Sequence, residues 1–178
     1  MREADSAFLA CAVIATAVAV AAGTCEQARA QDRHDRELAL AVARLTVNES
    51  GWHSPADGAL IWQVVQGRGT SSRERLAWLR RHSPRVMGAR PCAGGNCAWT
   101  AYLDGDRRPR GYPEGAAWVP ARWRAVRAQA EALVGGTWEG ALPCPRAPMT
   151  WDARAGGAEG RGWRPVGCIG TRNEGYTR

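Results

Sequence analysis

A single glutamate stands out by its position. Glu49 lies near the end of the run Leu38-Ala-Leu-Ala-Val-Ala-Arg-Leu-Thr-Val-Asn-Glu-Ser-Gly51. Leu38, Val42 and Leu45 recur at i, i+4 and i+7, which puts them on one helical face. Glu49 follows Leu45 by four residues, on that same face. Gly51 is a suitable stop, because glycine takes the left-handed conformation that ends many helices. The spacing predicts a carboxyl that looks inward from the last turn of a helix. Burial and the negative end of the helix dipole both oppose its ionisation and would raise its pKa. A carboxyl of that kind is suited to be a general acid for glycosidic bonds. An ordinary helix-end glutamate, solvated or paired with Arg44 or His53, has the same spacing.

Other chemistries find less support. The chain has no GxSxG, HExxH or phosphate-loop pattern. His53 follows Glu49 by four residues, but Gly51 and Pro55 argue against a helix there, so no metal pair is expected, and no cofactor. Asp57 and Asp104 are the nearby candidates for a second carboxylate. Asp57 suits the start of a helix, and Asp104-Gly105 suits a turn.

The elements that must hold Glu49 begin with a leader. Residues 7–23 are uncharged and almost wholly apolar, and Ala28-Arg-Ala30 is an A-x-A cleavage signal before Gln31. Residues 1–30 are read as a signal peptide, with a retained signal anchor as the alternative, since about seventeen apolar residues is the lower limit for a span. The body, 31–178, is then one exported domain, periplasmic or extracellular. Two of the six cysteines, Cys11 and Cys25, fall in the leader. The remaining Cys92, Cys97, Cys144 and Cys168 are an even set in an exported chain, which suggests two disulfides and leaves little room for cysteine nucleophiles. Three connectivities are possible. Cys92–Cys97 with Cys144–Cys168 is favoured, because Gly94-Gly95 permits a tight local loop.

Within the body, a second helix is expected from about Ala56 to Gln66, with Leu60, Ile61, Val64 and Val65 inward. A third fits Ser72–His82, with Ser71 or Ser72 as cap and Leu76 and Leu79 inward. Residues 83–119, rich in Gly, Pro and Arg, are expected to form a long irregular segment pinned by Cys92 and Cys97. A further helix starts at Pro120, carries Trp123, Val126, Ala130 and Leu133 inward, and stops at Gly135-Gly136. The tail reads as loop or short strand. The fold class is therefore mainly α, with α+β admitted by the tail.

Nine tryptophans stand against one Phe and three Tyr. Indole faces stack on sugar rings, so exposed tryptophans can line a saccharide groove. Trp62, Trp78 and Trp123 are assigned to packing. Trp52, Trp99 and Trp151 lie in loop contexts and are candidates for a cleft. The chain has 24 basic and 17 acidic residues, of which the first thirty hold two and three, leaving the body at +8. Such a charge suits an anionic partner such as a cell wall. The arginines are scattered rather than gathered on one helix face, so nucleic acid is not the expected partner, and a membrane is expected only if the leader is retained. The body is expected to act as a monomer.

The order of these pieces resembles the spore-cortex-lytic type of cell-wall hydrolases, a branch of the lysozyme-like lytic transglycosylases. The resemblance rests on Leu45-Thr-Val-Asn-Glu49, on Ala59-Leu-Ile-Trp-Gln-Val-Val-Gln-Gly-Arg68, on Ala98-Trp-Thr-Ala-Tyr-Leu-Asp-Gly105 before the Trp-bearing helix, and on the closing Gly167-Cys-Ile-Gly-Thr-Arg-Asn-Glu-Gly-Tyr176. It implies a lysozyme-like helical domain that acts on peptidoglycan glycan strands, with Glu49 as catalytic acid and base at the bond between N-acetylmuramic acid and N-acetylglucosamine. In a transglycosylase the muramic acid 6-hydroxyl is the nucleophile, so one carboxylate suffices, whereas a hydrolase would want a second. Tyr102, Trp99, Trp52, Ser50 and Asn173 are the matching candidates for binding the sugar or orienting Glu49. Each also has a structural alternative, in packing, capping or turns. A non-catalytic, Trp-rich glycan- or envelope-binding module is the competing reading.

Overall fold

The structure, a computed structural model, describes residues 2–51, 55–88, 97–153, 162–171 and 173–177, with backbone alone at 2–23, 97–98 and 152–153. It divides into two units, residues 1–34 and 35–178. Helix α1 runs Arg2–Ser50, and the first unit is its N-terminal part. The helix begins well before Leu38 because residues 24–37 contain neither Gly nor Pro and are largely Ala, Glu, Gln and Arg, which favour helix. Among the described residues no helix is long and apolar enough to cross a membrane.

The second unit is mainly helical. Its core is the Leu38, Val42 and Leu45 stripe of α1, met by Ile61 and Val65 of α2 (Pro55–Gln66), Leu76 and Leu79 of α3 (Ser72–His82), and Trp123 and Leu133 of α5 (Pro120–Gly135). Each such aliphatic side chain contributes roughly 1.5–3 kcal/mol by leaving water. Trp62 and Trp123 are buried as expected. Trp78 is half-buried between the Arg68 guanidinium, 5.0 Å from its ring, and His82, stacked at 4.5 Å.

The helix ends follow the sequence. At α3 the Ser71 hydroxyl accepts from Glu74 N–H, and the Glu74 carboxylate accepts from the N–H groups of Thr70 and Ser71, completing a capping box. Ser72 Oγ donates to Asp35 Oδ1, which ties that end to α1. Pro120 opens α5, and Gly136, at φ +72°, closes it in the left-handed conformation.

The described part of the segment between α3 and α5 is irregular apart from one turn, α4 (Cys97–Thr100). Cys92 lies outside the described residues, as does the side chain of Cys97, so the expected pairing there falls outside them. The described part is stapled by arginines. Arg124 pairs with Asp106 at 2.6 Å, Arg127 reaches Asp104 at 3.7 Å, and Arg44 Nε donates to the Leu103 carbonyl at 3.0 Å.

The tail forms a small antiparallel sheet in the order β1 (Thr150–Ala153), β3 (Asn173–Thr177), β2 (Arg164–Pro165), with Trp151 opposite Gly175. The fold is thus mainly α with a small β element, within the expected class. The Cys144–Cys168 disulfide is present, with an S–S distance of 2.03 Å. Helix α2 is the rail that carries this tail. Gln63 donates to the Cys144 carbonyl and accepts from its N–H, both at 3.2 Å. Leu60 packs on the disulfide, and Arg68 donates to the Met149 carbonyl. Glu174 Oε1 accepts from the N–H groups of Gly167 and Cys168, both at 3.0 Å. Gly175 permits the close approach, since a Cβ there would lie 2.8 Å from Pro148 Cβ and 2.9 Å from Cys168 Sγ.

Candidate functional site

Glu49 continues the Leu38, Val42 and Leu45 stripe, and those three residues are at most 2% exposed. Glu49 itself is exposed. This corrects the expectation of an inward, desolvated carboxyl. The helical register is as expected, but the cover over this face ends after Leu45, while Val47 and Ser50 in the same last turn stay buried. Gly51, at φ +67°, then turns the chain away and donates to the Val47 carbonyl at 2.9 Å. The acid therefore stands at the rim, where the apolar stripe meets solvent.

Neighbours on α1 orient it. Asn48 Nδ2 donates to Glu49 Oε1 at 2.9 Å, and Asn48 Oδ1 accepts from the buried Thr100 hydroxyl at 3.5 Å. The relay runs from α4 through Asn48 to the acid. Sequence reasoning missed Asn48, although its adjacency was visible. Ser50, a candidate either for orienting Glu49 or for capping the helix end, takes the structural role. Its side chain is buried and its hydroxyl donates to the Thr46 carbonyl at 2.7 Å. Residues on a helix are set 100° apart. Glu49 thus projects between the Arg44/Asn48 face, which meets Leu103 and Thr100, and the Thr46/Ser50 face.

The other candidates separate. Trp99 is 5% exposed and belongs to the core, so it offers no open ring face for a sugar. It packs edge-on against Tyr112 at 4.9 Å, and Tyr112 against Trp118 at 5.3 Å. Tyr102, three residues on, is 53% exposed, with the Arg110 guanidinium 5.9 Å from its ring. Arg107 and Arg108 are exposed nearby in sequence, and Arg108 lies over Tyr112 at 5.5 Å. The surface around Tyr102 is therefore aromatic and basic. Trp52 and His53 lie outside the described residues. Trp151 is half-buried and packs on both apolar clusters. Asn173 is buried, and both its N–H and its side-chain amide donate to Asp57 Oδ1. Burial commits Asn173 to the fold rather than to a sugar.

The two further carboxylates are engaged elsewhere. Asp57 is fully buried and receives Asn173, while Asp104 faces Arg127. Arg44 beneath the loop is partly buried, and desolvation pulls its pKa below the usual value, with Asp104 opposing. Among the described residues no three His, Cys, Asp or Glu side chains converge as metal ligands would.

Searches of family models, curated proteins and solved structures found no match to this chain.

Proposed function

We propose that this chain is an exported, lysozyme-like enzyme that cleaves the bond between N-acetylmuramic acid and N-acetylglucosamine in peptidoglycan, with Glu49 as general acid and then base. The observation that carries it is the placement of Glu49, on the core face of α1 yet open to solvent and held by Asn48. An acid so placed is reachable by a polymer too large for a closed cavity. Asp57 and Asp104 are committed to other partners, which favours the one-carboxylate route. In that route Glu49 protonates the glycosidic oxygen. The resulting carboxylate takes the proton of the muramic acid 6-hydroxyl, whose oxygen closes on C1 to give a 1,6-anhydro sugar. The basic, aromatic surface at Tyr102 suits an anionic wall, and the Cys144–Cys168 disulfide fits an oxidising compartment.

The exposure of Glu49 also favours a second reading, a basic glycan-binding module without catalysis, since nothing among the described residues desolvates the acid. Purified protein and its Glu49→Gln variant, incubated with peptidoglycan, separate the two. Anhydro-muropeptides from the wild type alone support the transglycosylase. Reducing ends would point to hydrolysis and a second carboxylate. Equal binding by both proteins without release would leave the binding module.

A further inference from the structure

The Thr46/Ser50 face of α1 does not pack against a neighbour throughout. It forms one wall of a cavity of about 490 Å³ that lies between the ends of α1 and α2 and the outer face of α5, within the size range of small-molecule sites. The other walls are Pro55, Ala125, Val126, Ala128, Ala132 and Trp138. Few polar groups line the cavity: the Trp138 indole N–H is buried without a partner among the described residues, and the Thr46, Ser50 and Gln129 side chains donate to backbone carbonyls. Thr46 Oγ1 donates to the Val42 carbonyl at 2.9 Å, Ser50 Oγ to the Thr46 carbonyl at 2.7 Å, and Gln129 Nε2 to the Pro55 carbonyl at 2.5 Å. A sugar, which needs a partner for every buried hydroxyl, is poorly served by such walls. An apolar body is well served.

One lining residue has a different character. Arg122 is exposed at the start of α5, and among the described residues its guanidinium has no ion pair or hydrogen bond. A cation at the rim of an apolar cavity complements a ligand with an apolar chain and one anionic end. We infer that this cavity binds a single-chain carboxylate of the fatty-acid class, with the chain along α5 between Ala125 and Ala132 and the carboxylate on Arg122. Glu49 does not line the cavity, so this site is separate from the glycan chemistry proposed above.

Titration calorimetry of the full chain with decanoate, and with 1-decanol as the uncharged control, tests it. Saturable binding of decanoate at one site is expected. Arg122→Ala should weaken decanoate about tenfold, the effect of losing one charge-assisted bond, and leave decanol unchanged. Ala128→Phe should abolish both, with circular dichroism confirming the fold. Both positions are exposed, so neither change threatens the core. Glu49→Gln should bind decanoate as the wild type does. Absence of saturable binding, or binding indifferent to Arg122 and Ala128, overturns the inference. So does a wild-type dimer that Ala128→Phe dissociates without any decanoate binding, which would make this face a contact between copies.

Discussion

Asn173 donates two hydrogen bonds to Asp57 Oδ1, from its backbone N–H at 3.0 Å and its side-chain amide at 3.4 Å, across 116 residues of sequence. Both residues are buried, and the pair joins the first turn of α2 to the first residue of β3. Buried donors left without an acceptor are costly, and this carboxylate serves two of them. Asp57→Ala is expected to destabilise the domain by about 3 kcal/mol. Urea denaturation followed by circular dichroism measures it, and a change within experimental error would mean that the pair is dispensable.

Gly175 gives a steric counterpart. An added Cβ meets Pro148 Cβ, Cys168 Sγ and, at 3.1 Å, Leu60 Cδ1. None of these is the free end of a long chain. Gly175→Ala should cost on the order of 1–3 kcal/mol by overpacking. It should also lift β3 from α2, seen as faster amide exchange in Asn173–Thr177.

Trp123 is 1% exposed, and its indole N–H has no acceptor among the described residues. Trp123→Ala opens a cavity and should cost about 3–5 kcal/mol. Trp123→Phe removes an unsatisfied donor together with some volume, so thermal melts should place it much nearer the wild type. Equal losses in both variants would mean that the N–H has a partner.

At α3 the hydrogen bonds from Thr70 and Ser71 hold the Glu74 carboxyl below the usual carboxylate range. A depressed folded-state pKa adds stability above the unfolded value, and this is lost as pH falls through the folded one. Acid titration by NMR should show the Thr70 and Ser71 amides shifting as Glu74 protonates below the ordinary carboxylate range. In Glu74→Gln that step should vanish. Ser71→Ala should cost about 1 kcal/mol at neutral pH.

Glu49 is exposed and its hydrogen bond comes from the neighbouring Asn48. Glu49→Gln should therefore change stability by no more than about 0.5 kcal/mol while abolishing muropeptide release. A large fall in melting temperature would assign the residue to the fold instead.

The helices were legible because their signals are local. Ser71 with Glu74, Pro120, and the Leu38, Val42 and Leu45 spacing each specify an end or a face without reference to the rest of the chain. The Cys144–Cys168 bond was legible because an even cysteine set suggests pairing and Gly94-Gly95 favours a local Cys92–Cys97 loop, which leaves these two for each other. The inward view of Glu49 failed because periodicity gives a face but not the point at which the core stops. Trp99 and Asn173 stayed open between a sugar contact and a structural role for a related reason. A loop or tail residue is buried by partners distant in sequence, here Tyr112 and Asp57, and no local pattern encodes them. The arginine staples at Asp104, Asp106 and Leu103 were hidden among arginines scattered along the whole chain.

The central position of β3 has a kinetic consequence. This strand lies between β1 and β2 and also caps Asp57, so the sheet, the seat of the disulfide and the polar anchor of α2 all wait for residues made long after α1 and α2. Contacts of such sequence separation slow folding. During synthesis, the helical part is left without its covering tail until β3 has been made, so the apolar face of α2 that Leu60 turns to the disulfide is the last to be shielded.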